Sequence, residues 1–128
     1  MSSHQPLVAC WLDQSIGEAG THLDLKKRFE NVSNRIVQWH YFDTSDTFNE
    51  FIDGNPNIKL VAIMSGHLAK CLVTLVSDRN ALHSIYIFCG NKEKYISKFS
   101  DEKKVKGIFD SEDDLYRQMQ IDLKNEFS

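Results

Sequence analysis

Three stretches of this chain are apolar without a break: Leu7–Leu12 (LVACWL), Leu60–Met64 (LVAIM) and Ile85–Cys89 (IYIFC). A strand covered on both faces has no wet side to show, so it reads as a continuous apolar run rather than an alternation. These runs, taken with their flanks as Leu7–Asp13, Lys59–His67 and Ser84–Gly90, are therefore predicted as interior strands of one sheet. Arg35–Asp43 (RIVQWHYFD) is apolar but carries Gln38 and His40 on the face shared with Ile36 and Phe42, which suits an edge strand. Val105–Asp110 (VKGIFD) is a weaker fifth strand.

Between the runs the apolar period lengthens from two to about 3.6 residues. Leu68, Cys71, Leu72, Leu75 and Val76 fall on one helical stripe; Phe48, Phe51 and Ile52 repeat the spacing, as do Leu25, Phe29 and Val32. The last segment opens with Ser111 and three acids at 112–114, which favours a helix N-terminus through capping and the macrodipole. Asp53–Asn57 (DGNPN) is a turn. Strands alternating with helices predict an α/β fold, and right-handed crossovers narrow its topology. The expectation is a flavodoxin-like, three-layer sandwich, like a receiver or TIR domain, with a five-stranded parallel sheet ordered 2-1-3-4-5. It forms one domain over 1–128, with 1–6 and 124–128 as flexible or terminal segments.

Composition excludes several classes. Hydrophobic residues at 41% and charged residues at 26% are ordinary for a folded domain. A net charge of -3 and a pI near 5.9 lack the dominant basic field that nucleic acid or an anionic membrane requires. Cys10, Cys71 and Cys89 are an odd set inside apolar segments, read as reduced thiols. With no signal peptide and no long apolar stretch, the expected location is the cytoplasm and no membrane partner is expected.

In a sheet of this order, ligands bind beyond the carboxyl ends of the strands near the switch in strand order. That rule alone selects Asp13, Gln14 and Ser15 after the first strand, and Asp43 and Thr44 after the second. It adds Ser65, Gly66 and His67 after the third, Cys89, Gly90, Asn91 and Lys92 after the fourth, and Asp110 after the fifth. The eight placed in a candidate ligand site are Asp13, Ser15, Ser65, Gly66, His67, Cys89, Gly90 and Asn91.

Known chemistries fit them poorly. A phosphoacceptor receiver needs an acidic pair after the first strand, an Asp ending the third, a Ser or Thr ending the fourth and a Lys ending the fifth. Only Asp13 matches. Gly17 and Gly20 form neither a dinucleotide fingerprint nor a P-loop. Ser65 or Cys89 beside His67 offers a nucleophile and a base but no third, orienting group. The five histidines, at 4, 22, 40, 67 and 83, show no ligand spacing. No catalytic residue, metal or cofactor is expected.

Charge is unevenly spread. Lys92–Lys106 holds six of the fifteen Lys and Arg residues, and the segment from Asp110 onward six of the eighteen acids. Lys92, Tyr95, Lys98, Lys103, Lys104 and Lys106, with Tyr116 on the last helix, are the expected surface for a protein partner or for self-association. The alternative is a solvated helix with Tyr95, Ile96 and Phe99 packed inward, and RNA contact through the lysines is a weaker one.

Read together, VACWLD, VAIMSGHLAK, SIYIFCGNK and KVKGIFDSEDDL resemble a family. It is a receiver-like or TIR-like α/β accessory module found N-terminal to arginine ADP-ribosyltransferase domains or tetratricopeptide repeats in invertebrate multidomain proteins. The likeness runs over about residues 7–123. It implies a flavodoxin-like module used for protein contact or regulation. The transferase's own catalytic signature is absent from this chain, and HLAKCLVTLVSDRN lacks the glutamate that a TIR-type NADase carries after its third strand. The leading expectation is a non-enzymatic interaction or regulatory module. The alternative is a domain that binds a small ligand or nucleotide, such as NAD or ADP-ribose, at the strand ends.

Overall fold

The computed structural model describes residues 6–14, 23–76, 78–91, 93–99 and 101–127. Five strands, β1 (Leu7–Leu12), β2 (Ile36–Phe42), β3 (Lys59–Ser65), β4 (Leu82–Phe88) and β5 (Val105–Phe109), form one parallel sheet in the order β2-β1-β3-β4-β5. Helices α1 (Leu23–Glu30), α2 (Ser45–Gly54), α3 (Gly66–Val76), α4 (Glu93–Ile96) and α5 (Glu112–Phe127) connect and follow them. This is the flavodoxin-like three-layer fold.

Alternation along β1 divides the core in two. Val8, Cys10 and Leu12 face a layer built from α2, α3 and α4, where Phe48, Leu72 and Val76 are buried. Leu7 and Trp11 face the opposite layer, α1 and α5, where Phe29, Leu115 and Met119 are buried. In that second layer the rings interlock edge to face, Trp11 on Phe29 at 4.9 Å and Phe29 on Tyr116 at 5.2 Å. Such contacts add to the burial of the aromatic area itself.

The helix ends are defined by their own side chains. Thr44 caps α2 by accepting the Thr47 N–H at 3.2 Å, and Asn55 closes it, its amide donating to the Phe51 carbonyl at 2.8 Å. The Ser111 hydroxyl receives the Asp114 N–H at the start of α5. Across the layer, the Arg28 guanidinium near the end of α1 pairs with Glu112, and with Asp113 at 2.7 Å, while lying 4.6 Å over the Tyr116 ring. One cation thereby joins the acidic first turn of α5 to the last turn of α1.

Three details differ from the expectations. Leu75 is 65% exposed, because α3 turns Ala69 and Val73 toward the sheet alongside Leu72 and Val76. Small side chains let that stripe approach most closely. Residues 124–127, expected as flexible or terminal, continue α5 to Phe127. The third and fourth strands end at Ser65 and Phe88, so Gly66, His67, Cys89 and Gly90 lie just past them. No helix among the described residues is long and apolar enough to cross a membrane.

A partly buried hydrogen bond ties β4 to α5: the Tyr86 hydroxyl donates to Asp122 at 2.6 Å, and Gln118 donates to the other oxygen of the same carboxylate at 2.9 Å. Tyr86→Phe keeps the ring and removes the donor. It is expected to lower the unfolding free energy by about 1.5 kcal/mol, the value for a bond to a charged acceptor. Urea denaturation checks this, with an unchanged slope against denaturant.

Candidate functional site at the strand ends

Parallel strands place all their carboxyl ends at one pole, and β1 and β3, whose connections leave in opposite directions, open a crevice there. Backbone bonds beyond the strand ends build its walls. The Asp13 N–H donates to the Phe42 carbonyl at 3.0 Å and the Cys89 N–H to the Phe109 carbonyl at 2.9 Å, so pairing continues one residue past β1 and β4. The Lys94 N–H reaches the Asn91 carbonyl at 3.3 Å and starts α4.

The resulting cleft holds about 570 Å³ and is lined by Asp13, Ser65, Gly66, His67, Phe88, Cys89, Gly90, Asn91, Lys94, Tyr95 and Asp110. All the expected ligand-site residues within the described chain meet here. Ser15, with Gly17 and Gly20, lies outside the described residues, as does Lys92. Gln14, Asp43 and Thr44 do not line the cleft, and Thr44 has the capping task described above. Lys94 and Phe88 had not been singled out. Extending the strand-end rule to the last strand residue and to the first turn of the next helix would have found both.

Gly66 is what lets the floor of the cleft close. A Cβ at this position would stand 2.6 Å from the Tyr95 ring and 3.1 Å from the Cys89 Cβ, so the phenol occupies the space that glycine leaves. Tyr95 is only 9% exposed and stacks on Phe99 at 6.3 Å. It is a wall of the cleft and part of the core, not the surface contact expected of it. Tyr116 is also turned inward, against Phe29, on the opposite side of the sheet.

The expected basic surface does not form one patch with these tyrosines. The Lys104 ammonium donates to the Arg79 carbonyl at 2.7 Å, which fixes it beside the α3–β4 loop at the other pole, and burial lowers its pKa. Lys98 and Lys103 are exposed, and Lys106 is an exposed residue of the β5 edge. Ile96 is 49% exposed, so only Tyr95 and Phe99 of that helix and its exit pack inward.

The reactive groups in the cleft have structural tasks. The Ser65 hydroxyl accepts the Leu68 N–H at 3.2 Å and so caps α3. Burial pushes the Cys89 thiol above its ordinary pKa, Asp110 adds to the rise, and an Asn91 backbone N–H only partly opposes it. A thiol held protonated is a poor nucleophile. Among the described residues no group of three or more His, Cys, Asp or Glu is placed to hold a metal ion. Cys10 and Cys89 are free cysteines.

Compared with protein-family models, with curated proteins and with solved structures, the chain finds no match.

Two outcomes test this geometry. Gly66→Ala is expected to cost about 1–3 kcal/mol through overpacking, and Tyr95→Ala in the same chain should relieve most of the clash; denaturation of the single and double variants measures both. Because the Cys89 pKa is raised, its thiolate fraction at neutral pH is below that of an ordinary cysteine. Its alkylation, followed by peptide mass mapping, should be slower than that of an unfolded reference and should climb with pH beyond the range where the reference has levelled off.

Proposed function

We propose that this chain is a non-enzymatic interaction module of pseudo-receiver type, resembling the receiver-like or TIR-like accessory domains that accompany ADP-ribosyltransferase or repeat regions. The observation that carries the reading is the fate of the reactive groups at the strand ends. Ser65 is occupied as a helix cap and Cys89 is held as a thiol. Where a receiver has the lysine that follows its fifth strand, this chain has Asp110. A phosphoryl group would meet Asp13 and Asp110 there, with Lys94 as the cation among the lining residues. At the end of the fifth strand Asp110 sets a negative charge where a receiver's lysine would neutralise the phosphoryl oxygens. The sandwich keeps the shape of a signalling domain without the donors that its chemistry uses.

The convergence of Asp13, Asn91, Lys94 and Asp110 in a cleft of about 570 Å³ favours a second reading, a small-ligand site, since ligand pockets commonly have this size.

Incubation with NAD and, separately, with acetyl phosphate tests the proposal by product analysis and intact mass, with a thermal-shift reading of NAD and ADP-ribose alongside. No cleavage, no phosphoprotein and no shift are expected. Ser65→Ala should lower stability by about 1 kcal/mol through loss of the cap, with no activity to lose. Turnover of NAD that disappears in Ser65→Ala or Cys89→Ala would overturn the non-enzymatic reading.

A further inference from the structure

We propose that the outer edge of β2 is a self-association edge: β2 of a second copy pairs with it antiparallel, about a two-fold axis at Trp39, and joins two five-stranded sheets into one. This rests on the interaction-module reading and names the partner.

Among the described residues no strand pairs with the outer edge of β2. β2 is the last strand of the sheet and is bonded only to β1. The Phe42 carbonyl accepts from Asp13 beside β1, so by the two-residue alternation of a strand Trp39 and Tyr41 turn their N–H and C=O outward. Open edges invite a further strand unless charge, proline or distortion blocks it. Both edge strands of this sheet contain one extra residue relative to their neighbour. In β5 it is Lys106, opposite the step from Ile85 to Tyr86; in β2 it is Val37, opposite the step from Leu7 to Val8. Lys106 puts a charge on one edge. Val37, 68% exposed, puts a β-branched hydrophobe on the other, and IVQWHYF contains neither a charge nor a proline.

The flanks choose the occupant. Arg35 precedes β2 and Asp43 follows it, both exposed, and they stand at equal distances from Trp39 in the sequence. An antiparallel pair centred on Trp39 brings Arg35 of each copy to the same end as Asp43 of the other, just beyond the regular ladder, so the charges match only because the partner is the same strand reversed. The same register sets Gln38 against His40. Gln38 is exposed, so its amide is free to bond across such a pair, whereas the Nε2 of His40 is buried within its own chain. At the axis Trp39 meets its own copy as a hydrogen-bonded pair that exchanges two backbone bonds. The contact is short, since the regular ladder begins after Val37, and a reversible dimer follows from that.

Sedimentation equilibrium of the whole chain over a wide concentration range is the test, with variants confined to exposed positions and folding checked by circular dichroism. A concentration-dependent dimer is expected. Asp43→Arg should weaken it by about tenfold, because both ends of the pair then carry like charges. Arg35→Asp combined with Asp43→Arg should restore it. Val37→Lys should also weaken it, as a lysine at the edge does elsewhere. A chain that stays monomeric to about 1 mM overturns the proposal, and so does a dimer indifferent to the charge reversal and to Val37→Lys. Neither result touches the reading of the domain as non-enzymatic, which falls only on turnover of NAD or phosphorylation.

Discussion

The structure depends on β1 being bonded on both sides. β2 and β3 flank it, all six of its residues are buried, and its side chains alternate between the two helical layers. A strand in that position cannot carry a polar side chain toward either layer without an uncompensated desolvation cost. LVACWL obeys this, and its large members anchor opposite layers, Leu7 and Trp11 one and Leu12 the other. Because the chain leaves β1 to one side and returns across it to β3, the same constraint opens the crevice above its carboxyl end. Asp13, the first polar residue after the run, marks where the core stops and the cleft begins.

The sequence makes the interior of the sheet legible because continuous burial leaves an unmistakable apolar run, and the turn residues between runs have local causes, as Thr44 and Asn55 illustrate. The candidate site was legible for a different reason: the strand-end rule depends on topology alone, and it brought Asp13, Ser65, Gly66, His67, Cys89, Gly90 and Asn91 to one cleft. What was not legible is which way a side chain turns once the backbone is placed. Tyr95 reads as an aromatic in a basic run, yet the missing side chain at Gly66 draws its ring into the core. Tyr116 reads as part of an acidic helix, yet Phe29 and Arg28 claim it from a segment 84 or more residues earlier in the chain. Spacing along one helix cannot announce a partner so distant.

The two ends of the sheet's width carry different surfaces. The β5 side has lysines and a short strand of five residues; the β2 side has a seven-residue strand of aromatic and β-branched residues. Both sides are built from the same backbone irregularity, so the contrast lies in the side chain placed at the extra residue. At the carboxyl pole the contrast is of another kind: Ser65 and Cys89 look reactive in the sequence and are quiet in the structure, Ser65 because its hydroxyl accepts the Leu68 N–H and Cys89 because burial disfavours its thiolate.

The Arg28 bridge to Glu112 and Asp113 also bears on how the chain acquires its structure. The layer containing α2 and α3 has all its fully buried members once residues up to Phe99 exist, with the partly buried Val105 and Ile108 of β5 still to be added. The α1 and α5 layer has to wait for Leu115, Met119 and Leu123, the last buried groups among the described residues. During synthesis from the N-terminus, one face of the sheet can therefore close while Trp11, Val61, Ile63 and Tyr86 still lack the helix that covers them. Contacts of such long sequence separation form late because their loop must be closed first. The nascent chain passes through a half-covered sheet whose uncovered side is the side a chaperone would meet.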